Sequence, residues 1–539
     1  MALNDQQIEV ITSNRPLILC LAGAGAGKTA CLTRRIARLV NDGVDPRSIL
    51  ALTFTNAAAF EMGQRYRILG EVDPTKQMPE FRTFHSFCYS LIIKDKDIRE
   101  KLGYSKVPEI CEDQRIEAIK KEAKIATKCS VSDAKLKDPK AKLTPQEKFE
   151  KEVYEKMIRA KIRDKNVITF DMLCYNVCAL FQKNDPIVEK YKQRYKHILV
   201  DEFQDTDRKQ FLFVASFPAT TNIFCCGDAL QNLYAFRGTS NEFIKQLSKD
   251  DNWHKIRLFE NYRSTNQICG FANKFSATYA DPKYRIEMHG QRDGDEVEEI
   301  RGSWTSYDTP VCPDHLRQLT KRLQDSKVQS AVLCRTNKEA DEVCKALDEK
   351  GIIYVKGNKS SEAIDMLKSV LDDSYMIQWL SNTFLDAKHY GDFIRLASQQ
   401  EAVTVQWFID TFNGVTKINS HAKKIFEIRK IMIDTEMDLD AKFDKVTKLL
   451  SIKKLITSAD IEGEYTSENF VQCILTKMEE LEESKLYVGT IHSSKGLEYD
   501  TVYLIGVDDF MFQLGTEEMN NLYYVGVTRA KNHLVVFRR

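Results

Sequence analysis

Leu17-Ile-Leu-Cys-Leu-Ala-Gly-Ala-Gly-Ala-Gly-Lys-Thr29 decides how the rest of the chain is read. Leu17 to Leu21 is a short apolar run that reads as a buried strand, and the glycines after it read as a turn. From Thr29 to Val40 the apolar positions Cys31, Leu32, Ile36, Leu39 and Val40 recur at helical spacing. Strand, glycine loop and helix in that order form the setting of a phosphate-binding loop. Glycines let backbone N–H groups turn onto phosphate oxygens, and the helix N-terminus adds a positive dipole. The candidate ATP-binding loop is therefore Ala22, Gly23, Ala24, Gly25, Ala26, Gly27, Lys28 and Thr29. Lys28 is suited to the β- and γ-phosphates and Thr29 to Mg2+. The strict pattern has glycine where this chain has Ala22, but the terminal Gly27-Lys28-Thr29 is intact.

Outward from that loop the same texture repeats. Ile49 to Phe54 reads as a second strand with a helix from Ala57, and His197 to Val200 and Asn222 to Cys226 are apolar strands that run into acidic residues. Buried strands alternating with helices predict a parallel α/β sheet whose functional loops lie at the strand C-termini. Leu91 to about Lys165 is lysine- and glutamate-rich and predicts a helical insertion, its lysines (Lys135, Lys137, Lys140, Lys142, Lys148) reading as a solvated face, with contact to phosphates as the alternative. A second α/β half begins at Ser330 to Cys334, gives way to helical pattern from Ser361 to Glu483, and resumes with Leu486 to Ile491 and Thr501 to Val507.

Composition sets the outer limits. At roughly 100–200 residues per domain, 539 residues imply several domains, and 43% hydrophobic with 29% charged residues is an ordinary globular balance. No apolar run approaches a membrane span, and neither a secretory leader nor a domain after the last motif is expected. The 14 cysteines contain no C-x-x-C pair, so reduced thiols in an intracellular protein are expected rather than a zinc site or a disulfide framework. Cys312-Pro-Asp-His315 reads as a loop cysteine and a surface histidine. The net charge of +1 means that a nucleic-acid site must be a local groove.

Asp201-Glu202, after the strand His197 to Val200, supplies the acids that a phosphate-loop hydrolase needs. Asp201 would hold the metal and Glu202 would act as general base toward the attacking water. The pair opens Asp201-Glu-Phe-Gln-Asp-Thr206, a far more particular run.

With that run in place, the chain resembles the superfamily 1 DNA helicases of the UvrD/Rep/PcrA type, from Leu3 to its last residues. The resemblance rests on Leu3-Asn-Asp-Gln-Gln7, Thr53-Phe-Thr-Asn56, Thr83-Phe-His-Ser86, Gly227-Asp-Ala-Leu-Gln231 with Asn232 to Gly238, Glu260-Asn-Tyr-Arg-Ser-Thr265, Thr490 to Glu498, and Tyr524 to Lys531. It implies that Gln7 reads adenine, Tyr262 stacks on it and Glu498 holds the ribose. It implies that Gln231 and Arg263 reach the γ-phosphate and that Arg529 is an arginine finger. Phe54, Thr55, His85, Tyr234, Phe236, Arg237, Thr490 and His492 would touch DNA.

The implied fold is α/β: two RecA-like P-loop domains with parallel sheets, each carrying a mostly helical insertion. The expected boundaries are 1–90 with 185–262 for the first domain, 91–184 for its insertion, 263–358 with 484–539 for the second, and 359–483 for its insertion. The implied activity is ATP- and Mg2+-dependent 3′ to 5′ translocation on single-stranded DNA with unwinding of tailed duplex, driven by cleft closure. The alternative is a translocase that displaces bound proteins without unwinding. Family members usually carry a basic residue where this chain has Ala30 and a lysine where it has Ala57.

Overall fold

The computed structural model describes residues 3–69, 78–111, 113–137, 141–233, 241–302, 310–324, 328–356, 403–412, 415–434, 436–450, 486–507 and 516–538, with isolated positions between 366 and 396 and between 466 and 474. The chain divides into two compact units, one of residues 1–293 with 515–524 and the other of residues 294–514 with 525–539.

In the first unit six strands form one sheet in the order Glu80–Thr83, Ile49–Thr53, His197–Val200, Asn222–Gly227, Leu17–Ala22, His254–Leu258. Every pairing is parallel. Ile49–Thr53 is buried along its whole length, and Leu17–Ala22 at every position after its first. Such runs form strands covered on both faces, which is why they read as continuous apolar stretches rather than as alternation. Helix Lys28–Asn41 buries Cys31, Leu32, Ile36, Leu39 and Val40, the stripe expected from their spacing, against Ile18, Cys20, Ile49 and Phe224.

Helices dominate between the strands Glu80–Thr83 and His197–Val200: Phe84–Lys94, Asp113–Thr127, Pro145–Asp164 and Phe170–Gln182 are the longer ones. Within this insertion Lys135 pairs with Glu147 at 2.5 Å, and Lys161 and Lys165 both reach Glu122. Of the lysines named from the sequence, Lys135, Lys142 and Lys148 are exposed, and Lys140 lies outside the described residues.

The first unit runs to Asp293, whereas the sequence suggests a change of domain after Tyr262. Packing accounts for the difference. A Cβ on Gly23 would lie 2.7 Å from Met288 Cγ and 3.4 Å from Ile286, so this segment sits against the phosphate loop. His289–Gly290 pairs with Glu260–Asn261, and the Arg292 guanidinium donates to the Arg263 carbonyl at 2.7 Å.

The second unit has its own six-stranded parallel sheet, ordered Glu298–Arg301, Ala530–Arg538, Tyr499–Val507, Ser330–Cys334, Leu486–Thr490, Val355–Lys356. Helices Val405–Thr411, Thr416–Ile433 and Leu439–Leu449 build a separate apolar core around Phe408, Ile425, Phe443 and Phe470. The expectation of a surface histidine at position 315 is corrected here. His315 lies wholly buried in helix Pro313–Leu323, its ring 5.2 Å from that of Phe537, and burial lowers its pKa. Among the described residues no helix is long and apolar enough to cross a membrane.

Candidate active site

The phosphate loop leaves the strand Leu17–Ala22 and enters helix Lys28–Asn41 through Gly27, which caps the helix at φ 79°. Gly25 has φ 69°, and a Cβ there would stand 2.7 Å from both Arg263 Cβ and Asn261 Oδ1. Only glycine combines that left-handed backbone with so close an approach. The Lys28 ammonium is folded back toward the loop, 3.4 Å from the Gly23 carbonyl.

Thr29 Oγ1 donates to Asp201 Oδ2 at 2.9 Å, which brings the two candidate metal ligands together. Burial first, and the neighbouring charge of Glu202 second, push the Asp201 carboxyl up from 3.8 to about 6. Lys28 and the Thr29 hydrogen bond oppose that rise. Two adjacent carboxyls, opposed in part by Lys28, concentrate negative charge at this point.

Glu202 has φ 51° and ψ 43°, a left-handed conformation uncommon for a residue with a Cβ and costing on the order of 1–3 kcal/mol. Its N–H donates to Asp201 Oδ1 at 3.0 Å. Gln204, wholly buried, donates from Nε2 to Glu202 Oε2 at 2.5 Å and accepts at Oε1 from the Asp228 N–H at 3.1 Å. Asp228 Oδ2 in turn accepts from Gln231 Nε2 at 2.8 Å and from the Tyr524 hydroxyl at 3.5 Å. Burial raises the Asp228 pKa as well. The candidate base and the candidate γ-phosphate sensor are thus the two ends of one chain, Glu202 to Gln204 to Asp228 to Gln231. Buried polar networks of this kind hold their members in one geometry when every member is satisfied.

On the far side of the loop Gln7 is buried in helix Asp5–Thr12, whose N-cap Asn4 makes a reciprocal capping box with it. Gln7 Nε2 donates to the Ala26 carbonyl at 3.2 Å, and Asn4 Nδ2 donates to the Tyr262 hydroxyl at 3.0 Å. Asn261 joins this group to Arg263. Its Nδ2 donates to the Ala24 carbonyl at 2.9 Å, and its Oδ1 accepts from the N–H groups of Arg263 and Ser264, both at 2.7 Å.

The DNA candidates stand differently. Phe54 is half-buried just past the strand Ile49–Thr53. Thr55 is exposed and serves as N-cap of helix Asn56–Ile68, accepting from the Ala58 N–H at 3.1 Å. His85 lies in the first turn of helix Phe84–Lys94 with Nε2 3.3 Å from Asp171 Oδ1. Tyr234, Phe236 and Arg237 lie outside the described residues.

In the second unit Thr490 ends the strand Leu486–Thr490 just before the turn that His492 opens, and its Oγ1 accepts from the Ser493 N–H at 3.2 Å. Glu498 is exposed and pairs with Lys531 at 3.2 Å. Arg529 is buried, donating to the carbonyls of Val525 at 3.1 Å and Leu497 at 3.2 Å.

Sequence reasoning assigned no role to Asn261, Gln204, Asp228 or Tyr524. Each sits inside a motif already singled out, so the available signal was an amide or acid at a position where the strand and helix pattern calls for burial.

A parallel sheet with this glycine loop and a buried acid at the next functional strand end defines the P-loop class of nucleotide-binding proteins. Within that class, residues 3–252 match the UvrD/REP helicase N-terminal domain, and residues 256–361 and 358–538 match the UvrD-like helicase C-terminal domain. The chain belongs to the UvrD/Rep helicase family, a class of ATP-hydrolysing enzymes. It is 26% identical over 617 residues to the ATP-dependent DNA helicase PcrA of Bacillus subtilis, an alignment covering 98% of this chain and 81% of that protein. It is likewise 26% identical over 625 residues to DNA helicase II of Haemophilus influenzae, covering 99% and 83%. A putative ATP-dependent DNA helicase of Bacillus subtilis, YjcD, is 27% identical over 603 residues, covering 99% and 78%.

Proposed function

We propose that this protein is an ATP-dependent DNA helicase that moves 3′ to 5′ along single-stranded DNA and unwinds tailed duplex. The observation that carries the reading is the hydrogen-bonded chain from Glu202 through Gln204 and Asp228 to Gln231, behind a phosphate loop. Phosphoryl transfer to water depends mainly on positioning and on neutralising charge, and this chain positions a base and a phosphate sensor relative to each other.

In this reading Lys28 binds the β- and γ-phosphates, Glu202 takes the proton of the attacking water, and Gln231 and Arg263 contact the γ-phosphate. Gln7 and Tyr262 recognise adenine, Glu498 holds the ribose, and Arg529 meets the charge that develops in the transition state. Thr29 and Asp201 would hold Mg2+, which when bound neutralises phosphate charge. The fit rests on their 2.9 Å approach and on the two adjacent carboxyls of Asp201 and Glu202, the first of them buried. Phe54, Thr55, His85, Tyr234, Phe236, Arg237, Thr490 and His492 contact single-stranded DNA.

ATP turnover measured with and without single-stranded DNA, beside a strand-displacement assay on 3′- and 5′-tailed duplexes, tests the whole reading. DNA-stimulated turnover with unwinding only from a 3′ tail is expected. Turnover without displacement of the second strand would favour the protein-stripping translocase, and indifference of turnover to DNA would remove both readings.

A further inference from the structure

Three thiols meet away from the nucleotide, between helix Phe84–Lys94 and helix Phe170–Gln182, which pack against each other. Cys174 and Cys178 are one turn apart and therefore share a helix face, and Cys88 faces them from the other helix. Cys88 Sγ is 3.9 Å from Cys174 Sγ, and Cys174 Sγ is 3.9 Å from Cys178 Sγ. All three sulfurs lie within 4.8 Å of one another. A point equidistant from them is roughly 2.3–2.5 Å from each, which is the length of a metal–thiolate bond.

The donor set selects the ion. It is sulfur only, and among the described residues no further histidine, cysteine, aspartate or glutamate joins the group. All three residues are buried, Cys174 keeping 5% of its surface as the point of access. Closed zinc sites take four ligands, whereas soft thiolates favour Cu(I), and three sulfurs at these spacings suit a trigonal centre. We propose that Cys88, Cys174 and Cys178 form a three-thiolate site for a soft monovalent d10 metal ion, with Cu(I) the fitting species.

Binding makes three sulfur–metal bonds. Each replaces an S–H bond, so up to three protons pass to solvent, and no oxidant takes part. The ion would tie the helix that carries His85, at the start of the helical insertion, to the helix near its end.

The test uses the full-length protein, reduced and free of metal, titrated anaerobically with Cu(I) in competition with a chromophoric Cu(I) chelator. One equivalent should bind, with proton release in weak buffer. Cys174→Ala should weaken binding at least tenfold, Cys88→Ala and Cys178→Ala should each weaken it, and Cys111→Ala should not. Loading should raise the midpoint of thermal unfolding by a few degrees in the wild type and leave Cys174→Ala unmoved. Should an alanine variant fail to fold, X-ray absorption on the loaded wild type decides the matter. Three sulfur neighbours at ~2.3 Å support the site, and a shell of nitrogen or oxygen donors overturns it. Absence of Cu(I) binding, binding by all three alanine variants as tight as the wild type's, or a preference for Zn(II) would show that the thiols serve only as apolar packing.

Discussion

Glu202, Gln204, Asp228 and Gln231 are joined by successive hydrogen bonds with Gln204 and Asp228 buried, while Phe54, Thr55 and His85 stand partly or fully open to solvent at the same edge of the same sheet. The strand order explains why the two groups differ. Phe54 and His85 follow the two strands at one side, Ile49–Thr53 and Glu80–Thr83, and the phosphate loop follows Leu17–Ala22. Between them lie the two strands that end in Asp201-Glu202 and in Asp228. At about 4.8 Å per strand, the strand before Phe54 is some 14 Å from the strand before the phosphate loop, too far for direct contact. In the proposed function a signal passing along this edge of the sheet from DNA to nucleotide crosses the loops that carry Gln204 and Asp228. In that reading the hydrogen-bonded region is the transmitter and the open region the receiver.

Removing the chemistry itself should have the largest effect. Lys28→Ala and Glu202→Gln should each lower ATP turnover by on the order of 10³-fold, since general-base catalysis alone contributes about 10²–10⁴. Glu202→Gln should still bind ATP, as equilibrium binding of a fluorescent analogue will report. Near-normal turnover in either variant would remove the nucleotide pocket from its proposed place.

The receiver is broken more gently. Base–aromatic stacking is worth about 1–3 kcal/mol per base, so Phe54→Ala and Phe236→Ala should each weaken single-strand affinity by roughly 5- to 150-fold and spare basal turnover. The salt dependence of binding should not change, because no charge is lost. A variant that melts early instead would assign its ring to the core.

Gln204→Ala sharpens the comparison, since it cuts the transmitter and leaves both ends intact. Turnover should fall by about tenfold with the KM for ATP nearly unchanged, the loss of one hydrogen bond to a charged group and one to a backbone N–H. A rise in KM with unchanged kcat would make Gln204 a ground-state contact.

The smallest effect is expected at Thr55, where the structure supplies a helix cap. Thr55→Ala should lower stability by about 1 kcal/mol, and Thr55→Ser should restore most of it. If Thr55→Ser is stable yet loses DNA affinity, the methyl group itself touches DNA.

The sequence made some of this legible and hid the rest for physical reasons. The phosphate loop could be read because strand, glycines and helix are contiguous, so every relevant period lies within 25 residues of Leu17. The extension of the first compact unit to Asp293 could not be read. It depends on Met288 and Ile286 packing against Gly23, a contact that leaves no periodicity in either segment. His315 lies on a strongly amphipathic helix beside charged neighbours, and its inward ring packs against Phe537 and Gly302, residues far from it in sequence or without a side chain to signal the contact. The thiol cluster was half visible: the spacing of Cys174 and Cys178 shows one face, but Cys88 is 86 residues from Cys174. Gln204 and Asp228 were in view within their motifs, yet nothing local reveals that a side-chain oxygen of one meets the backbone N–H of the other.

The most direct measurement is ATP turnover with and without single-stranded DNA, compared between the wild type and Gln204→Ala at saturating ATP. Strong stimulation in the wild type, and a stimulation ratio that collapses toward one in Gln204→Ala while ATP affinity holds, is the predicted result. A variant stimulated by DNA in the same ratio as the wild type would contradict the account, because the signal would then reach the nucleotide without crossing Gln204.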